Sequence, residues 1–337
     1  MIQRIFFYFS ILIVFFTSCT SNRLDVDVSR SNVNFSYVNL DSLLFHTPKN
    51  NIPKVLESYA TSSDGVLAYQ LVHCLGIGGF KDSSSLNRIE IFRNDLYIKR
   101  LQSKISNLLT LKKDLQLQLN DGFKHLHFHL SEVPLPKQIY YINSLFVSNV
   151  YCTDREIGIG IERYLGPKEA LIEELPSQEF FQWMKDGMLK EYMPRDVLSE
   201  WISTNIVIEV NGTFAEKLIR WGKILYLTES AFPEMEKHIL LRYTKNGYAW
   251  ADHNDRTIWK FIVNQNLLFS KNERDHANFL NEGPFTVGLP EKSPDRLGQF
   301  LGWKIVHEFM EKNESISMKD LINLPYNTIL QSYEIEE

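Results

Sequence analysis

Between Ile139 and Gly166 the chain reads IYYINSLFVSNVYCTDREIGIGIERYLG, its longest run dominated by β-branched and aromatic residues. This run constrains the fold most, because such side chains suit a pleated, half-buried surface better than a helix. Tyr140, Ile142, Leu145, Val147, Val150 and Tyr151 lead into the polar turn Thr153-Asp154-Arg155-Glu156, and Ile157-Gly158-Ile159-Gly160-Ile161 returns. The alternation predicts a hairpin. Glycines at 158 and 160 leave one face of the returning strand bare, so a helix or a bound chain is expected to pack closely on it.

Around this run the periodicity is helical. LDVDV and VNFSYV, between Leu24 and Phe45, predict an early strand and then a short helix. Asn50 to Tyr69 has a helical pattern broken at Ser62-Ser63-Asp64-Gly65. Leu96 to Asn120 carries apolar residues at amphipathic spacing and is expected to end near Asn120-Asp121-Gly122. Phe180, Phe181, Trp183, Met184 and Met188 are spaced as a helical core face. Pro194 suits the first turn of a helix bearing Val197, Leu198, Trp201 and Ile202, and Thr213 with Glu216 forms a capping box ahead of Phe214, Leu218, Trp221 and Leu225. Asp255 to Ser270 is amphipathic again. Ser293-Pro294 predicts a helix from Pro294 to Glu311, in which Gly298 and Gly302 share a face that a neighbouring backbone can approach, and Ser317 with Asp320 starts the last helix. The expected fold class is α+β, a mainly helical single domain (24–337) around a small sheet.

With 44% hydrophobic and 23% charged residues the chain has the makings of a core and lies far from a disordered composition. Its formal charge of −5 and scattered Lys and Arg leave no electrostatic footprint for nucleic acid, which is excluded as a partner. The N-terminus is more telling. One arginine at position 4, the apolar run Ile5 to Phe16 and then Phe16-Thr17-Ser18-Cys19 form a short hydrophobic segment that ends in small residues before a cysteine. The run is too short for an ordinary spanning helix. The tetrapeptide resembles a bacterial lipobox, which implies a signal peptide over 1–18, acylation at Cys19 and a tether over 19–23. The bland alternative is a plain secretory signal with an incidental cysteine. Acyl chains at Cys19 would anchor the protein to a membrane.

Cys74 and Cys152 then remain, either paired in an oxidising compartment or as two buried free thiols. CLGIGG (74–79) lacks the Lys-Ser/Thr of a phosphate loop and reads as a glycine-rich turn. In His125-Leu126-His127-Phe128-His129 a strand would set all three imidazoles on one face, whereas a helix would pair only His125 with His129. Three histidines could hold zinc, but no carboxylate or thiolate stands nearby at ligand spacing, so they are read as solvent-facing or core residues and no metal is assigned. No catalytic motif is found and no cofactor is implied.

Taken together, the lipobox, VNFSYVNLDSLLF, IGIGIERYLG (157–166), YMPRDVLSEWI (192–202), WGKILYLTESAFP (221–233), NDRTIWKFIVNQNLLFS (254–270) and GPFTVGLPEKSPDRLGQFLGWKIVHEFM (283–310) stand in the order and spacing of the gliding motility-associated lipoprotein GldB of Bacteroidota. The resemblance spans nearly the whole chain. Glu162 departs from the Asp usual there, and Asp255 from the usual Glu. It implies a non-catalytic lipoprotein accessory to the gliding machinery, lipid-anchored in the cell envelope, facing the periplasm, with other gliding-machinery envelope proteins as partners. A weaker similarity runs to zinc proteases of the zincin kind, whose glycine-containing edge strand precedes a His-Glu-x-x-His helix. The corresponding RDVLSEWIST (195–204) has no histidine, so a shared scaffold would be catalytically empty. The alternative function is an unrecognised envelope hydrolase of this degenerate metallopeptidase kind, built on the histidine cluster.

Overall fold

A computed structural model describes residues 22–333, Val210 apart. Its centre is a four-stranded mixed sheet, β1 (Ser36–Asn39), β2 (Gln138–Ile142), β3 (Val150–Cys152) and β4 (Glu156–Gly160), in the order β1-β2-β4-β3. β1 runs parallel to β2 and β2 parallel to β4, with Ile139 opposite Ile157 and Ile142 opposite Gly160. β3 closes the sheet antiparallel to β4. The expected hairpin is therefore confined to 150–160, and Ile139 to Ile142 forms a separate strand beside it. Leu145 and Phe146, both with left-handed backbone (φ 50° and 65°), divert the chain between the two.

β2 and β4 are covered on both faces, as parallel strands generally are. Ile139, Tyr141, Ile157 and Ile159 enter the larger core with Trp201, Phe214 and Phe300. Tyr140 and Ile142 face a smaller core with Leu40, Leu44, Val66 and Leu71. The bare glycine face is filled as expected. A Cβ on Gly158 would lie 2.7 Å from Val66 Cγ1 of the short helix Val66–Ala68, and one on Gly160 would lie 2.3 Å from the Ser148 carbonyl oxygen.

Leu24 to Val28 forms no strand. The Asn22 and Asp27 side chains accept hydrogen bonds from the backbone N–H groups of Leu24 and Ser29, and such local bonds compete with a ladder. The following helix, α1 (Leu40–His46), forms as expected under an Asn39 cap. The helix beginning at Leu96 divides into α2 (Leu96–Leu108) and α3 (Lys112–His129). The second half does not stop at Asn120-Asp121-Gly122. Gly122 lies inside α3, where a Cβ would stand 2.6 Å from the Phe232 ring, so the glycine makes room for that side chain. The HLHFH segment is thus helical. Among the phenylalanines and methionines read as a core face over 180–188, Met188 is buried but Phe181 is exposed, and both flank a helix of only five residues, Gln182–Asp186.

The larger core is built on α4 (Met193–Asn205), with Pro194 in its first turn, and α5 (Phe214–Ala231), opened by the Thr213–Glu216 capping box. α6 (Glu273–Leu280) and α7 (Leu297–Lys312) complete it. α7 starts later than Ser293-Pro294 predicted, after Arg296 in the left-handed region. Ser317 and Asp320 cap Met318–Asn323, and one more helix, Tyr326–Gln331, follows. α5 and α7 cross at two glycines. A Cβ on Gly222 would sit 2.1 Å from the Gly302 carbonyl oxygen, and one on Gly302 would sit 2.1 Å from the Leu218 carbonyl oxygen.

This architecture does not support a zincin-like scaffold. The glycine-bearing strand β4 is interior, between β2 and β3, and α4 presents Arg195, Asp196, Ser199 and Glu200 where a zinc-binding helix needs its histidines. Cys74 and Cys152 are both buried free thiols, so the disulfide alternative is set aside. Burial pushes the Cys74 thiol up to about 11 and the Cys152 thiol well above its ordinary range, so neither is a ready thiolate.

Candidate functional site

The first turn of α4 carries Arg195 and Asp196 into the protein side by side, and ionic contacts gather around them. Asp196 Oδ1 accepts from Arg195 Nη1 at 3.1 Å, and Oδ2 accepts from Tyr164 Oη at 2.9 Å and from Arg242 Nη1. Arg195 Nε donates to the Leu240 carbonyl at 2.8 Å, and Arg242 Nη2 to that of Gly187 at 2.9 Å. Arg296 completes the row, with Nη1 3.3 Å from Glu282 Oε1 and Nη2 3.0 Å from Asp295 Oδ1. Arg163 approaches from the far side and donates Nε to Asn149 Oδ1 at 2.6 Å. Four arginines thus face three carboxylates.

Arg242 and Arg296 both adopt left-handed backbone, at φ 55° and 52°. Non-glycine residues hold such conformations only where their surroundings over-determine them, and such positions concentrate at binding sites. The Arg242 guanidinium also lies over the Tyr192 ring, 4.9 Å from its centroid. The Arg296 Nε is buried without a protein partner. Burial alone would raise the Glu282 pKa, but Arg296, Arg242, Arg163 and Arg195 hold it below the usual carboxylate range.

The cluster forms a wall between two clefts, with Arg242, Glu282 and Arg296 lining both. One cleft, about 530 Å³, is rimmed by Trp183, Tyr192, Tyr243 and Trp250. The other, about 390 Å³, reaches Asn149, Ser199, Trp221 and Gln299. Among the described residues neither is lined by histidine or cysteine, and Ser199 Oγ is bonded to Thr228 Oγ1 at 2.8 Å. Guanidinium forks beside aromatic rings suit recognition of carboxylate or phosphate groups.

The sequence-predicted residues lie elsewhere. His125 borders a third, mainly apolar cleft of about 630 Å³ with Leu115, Met193, Phe232 and Met235, and its Nδ1 lies 3.0 Å from the Asp121 carbonyl oxygen. On α3, His129 follows His125 by about one turn while His127 points away, so the three imidazoles are not brought together. Among the described residues no group of three or more His, Cys, Asp or Glu side chains could hold a metal ion. Cys19 lies outside the described residues. The arginine cluster escaped sequence reading because its members come from segments far apart in the chain. The only local signals were the adjacent pairs Arg195-Asp196 and Asp295-Arg296.

The family model for gliding motility protein GldB matches residues 21–334, nearly the whole chain. The chain belongs to the GldB family. No curated protein and no solved structure matches it. Membership in the GldB family connects the chain with gliding motility and with lipoproteins of the cell envelope. Among the described residues of this GldB-family chain, no helix is long and apolar enough to cross a membrane.

Proposed function

We propose that the protein is a lipid-anchored, non-catalytic envelope component of the gliding machinery, which faces the periplasm and holds an acidic segment of a partner protein in the arginine-walled clefts. The observation that carries this reading is the row of buried guanidinium groups, Arg242 and Arg296 among them on left-handed backbone, that walls two clefts beside aromatic rings. Arginine pairs with carboxylates in bidentate geometry, and partly desolvated pairs at a binding surface hold more strongly than exposed ones. Aromatic rims of the kind formed by Trp183, Tyr192 and Trp250 supply apolar area beside the charges.

The test is genetic and uses the half-buried Arg163, whose side chain, among the described residues, bonds Asn149 and the Phe146 carbonyl. Deleting the protein should abolish surface movement while other lipoproteins are still exported. Complementation with Arg163→Glu, produced and membrane-anchored at normal level, should restore little movement. Full movement in that strain overturns the cleft reading. Unimpaired gliding of the deletion strain overturns the role itself.

A further inference from the structure

The parallel strands β1, β2 and β4 all end at one edge of the sheet, and each is followed within two residues by a buried polar side chain. Asp41 follows β1, Asn143 follows β2 and Glu162 follows β4. The register places these strand ends side by side, Asn39 opposite Tyr141 and Ile142 opposite Gly160. Two amides join them, Gln70 from the segment Tyr69–Cys74, which reaches the Asn143 carbonyl, and Gln102 from α2, beside Asp41. All five are at most 7% exposed. In open α/β sheets, ligands characteristically bind at the carboxyl ends of the parallel strands.

What distinguishes this site is unused bonding capacity. Fourteen buried side-chain nitrogens and oxygens among the described residues lack a protein partner, and seven belong to these five residues. They are both Asp41 oxygens, Glu162 Oε2, Gln70 Oε1, both ends of the Gln102 amide and Asn143 Nδ2. Buried polar groups are normally paired, so such a concentration calls for an occupant. The surroundings hold Glu162 in place. Its Oε1 accepts from Ser144 N at 2.9 Å, from Ser144 Oγ and from Phe146 N at 2.9 Å, in the turn where Leu145 and Phe146 are left-handed. Oε2 is left free. Gln70 sits in a six-residue π-helix, a rare form that occurs mostly at functional positions, and its Nε2 contacts the Asn143 carbonyl at 3.5 Å.

We propose that Asp41, Glu162, Gln70 and Gln102 form a binding site for one divalent cation, calcium in preference to magnesium. The free atoms include five oxygens, all hard donors, and two carboxylates would balance the charge of the ion. Asp41 can offer both of its oxygens, and calcium accepts bidentate carboxylates and amide oxygens in irregular geometry, whereas magnesium demands a near-ideal octahedron. Asn143 Nδ2 can donate to a coordinating carboxylate, the usual way in which ligands are oriented. Burial, and then the charge of Glu162, push the Asp41 carboxyl up to about 7 in the metal-free protein, against the opposing pull of the neighbouring Gln102 amide, as expected for acids brought together without a counter-ion.

The test is calcium or magnesium titration of the full chain in detergent at pH 8 after removal of metal by EDTA, read by calorimetry and by melting temperature. The expected result is one equivalent of calcium bound, a melting temperature raised by several degrees, and weaker binding of magnesium. Asp41→Asn and Glu162→Gln should each weaken calcium binding at least tenfold. Gln102→Met should weaken it while leaving the metal-free protein at least as stable, an outcome that a purely structural role for the amide does not produce. Absence of stoichiometric calcium or magnesium uptake by the wild-type chain overturns the proposal, whether or not the variants fold. So does wild-type affinity in folded Asp41→Asn and Gln102→Met.

Discussion

Replacing Gly302 with alanine adds one methyl group at the crossing of α5 and α7. Its carbon would lie 2.1 Å from the Leu218 carbonyl oxygen and 3.1 Å from the Gly222 amide nitrogen. Both obstacles are backbone, so no rotamer change relieves them and the helices must separate by more than 1 Å to reach ordinary contact. Phe300, Leu301, Ile305 and Val306 of α7, all buried, would lose packing with the movement. Overpacking usually costs about 1–3 kcal/mol, and an obstruction made of main chain belongs at the upper end. Alanine's better helix propensity returns at most about 1 kcal/mol. With a shift of about 2–4 °C per kcal/mol for a large domain, a net loss near 2 kcal/mol lowers the melting temperature by roughly 4–8 °C. At Gly298 the same methyl would meet the Leu280 Cδ2 at 2.8 Å and the Phe279 carbonyl oxygen at 3.0 Å. A side-chain methyl can yield, so Gly298→Ala should cost less. The assay is thermal unfolding of both purified variants, with gliding scored in complemented cells. Wild-type melting of Gly302→Ala, or a larger loss at Gly298, would refute the packing argument. Lost gliding with unchanged stability would instead assign this face to a partner.

Asp41→Asn should flatten the pH dependence of stability in metal-free buffer. A raised folded pKa means that the stabilising contribution is complete below about pH 4 and is lost as pH climbs towards 7, so the variant should exceed wild type at pH 8 by up to about 4 kcal/mol, measured by denaturant unfolding. Glu229 is buried and accepts from Trp303 Nε1 at 2.7 Å and His307 Nδ1 at 3.1 Å, as well as from Lys237. Burial works against both charges, but the pairing lowers the Glu229 pKa and raises that of His307. The His307 contribution is complete below about pH 6.5 and lost as pH rises through its folded value, and that of Glu229 is complete above about pH 4.5 and lost as pH falls. His307→Gln should therefore remove the loss of stability above pH 6.5, and a melting curve with the wild-type pH slope would refute the assignment. Cys19→Ala should leave the precursor uncut or release the protein from membranes, and a mature, detergent-requiring variant on fractionation would contradict lipidation there.

Features settled by near neighbours were legible in the amino-acid order. The Thr213–Glu216 and Ser317–Asp320 capping boxes, Pro194 in a first helical turn, the Thr153–Glu156 turn and the break at residues 62–65 all formed where composition placed them. Each depends on bonds or sterics within about four residues, which sequence alone can satisfy. The GldB resemblance was legible for a related reason, as an ordered series of such local segments. Long-range choices were not. Gly122 reads as a stop in the sequence, yet in the fold it makes room for Phe232, distant in the chain, inside a helix that carries His125, His127 and His129. Tyr140 and Ile142 could have turned back on β3, but β4 pairs with both strands and covers them on opposite edges. Arg163, Arg195, Arg242 and Arg296 meet only because α4, the turn at 242 and the start of α7 converge, as Asp41, Gln102 and Glu162 come together only at the end of the assembled sheet. Burial turns ordinary polar residues into these clusters, and burial is a property of the assembled chain.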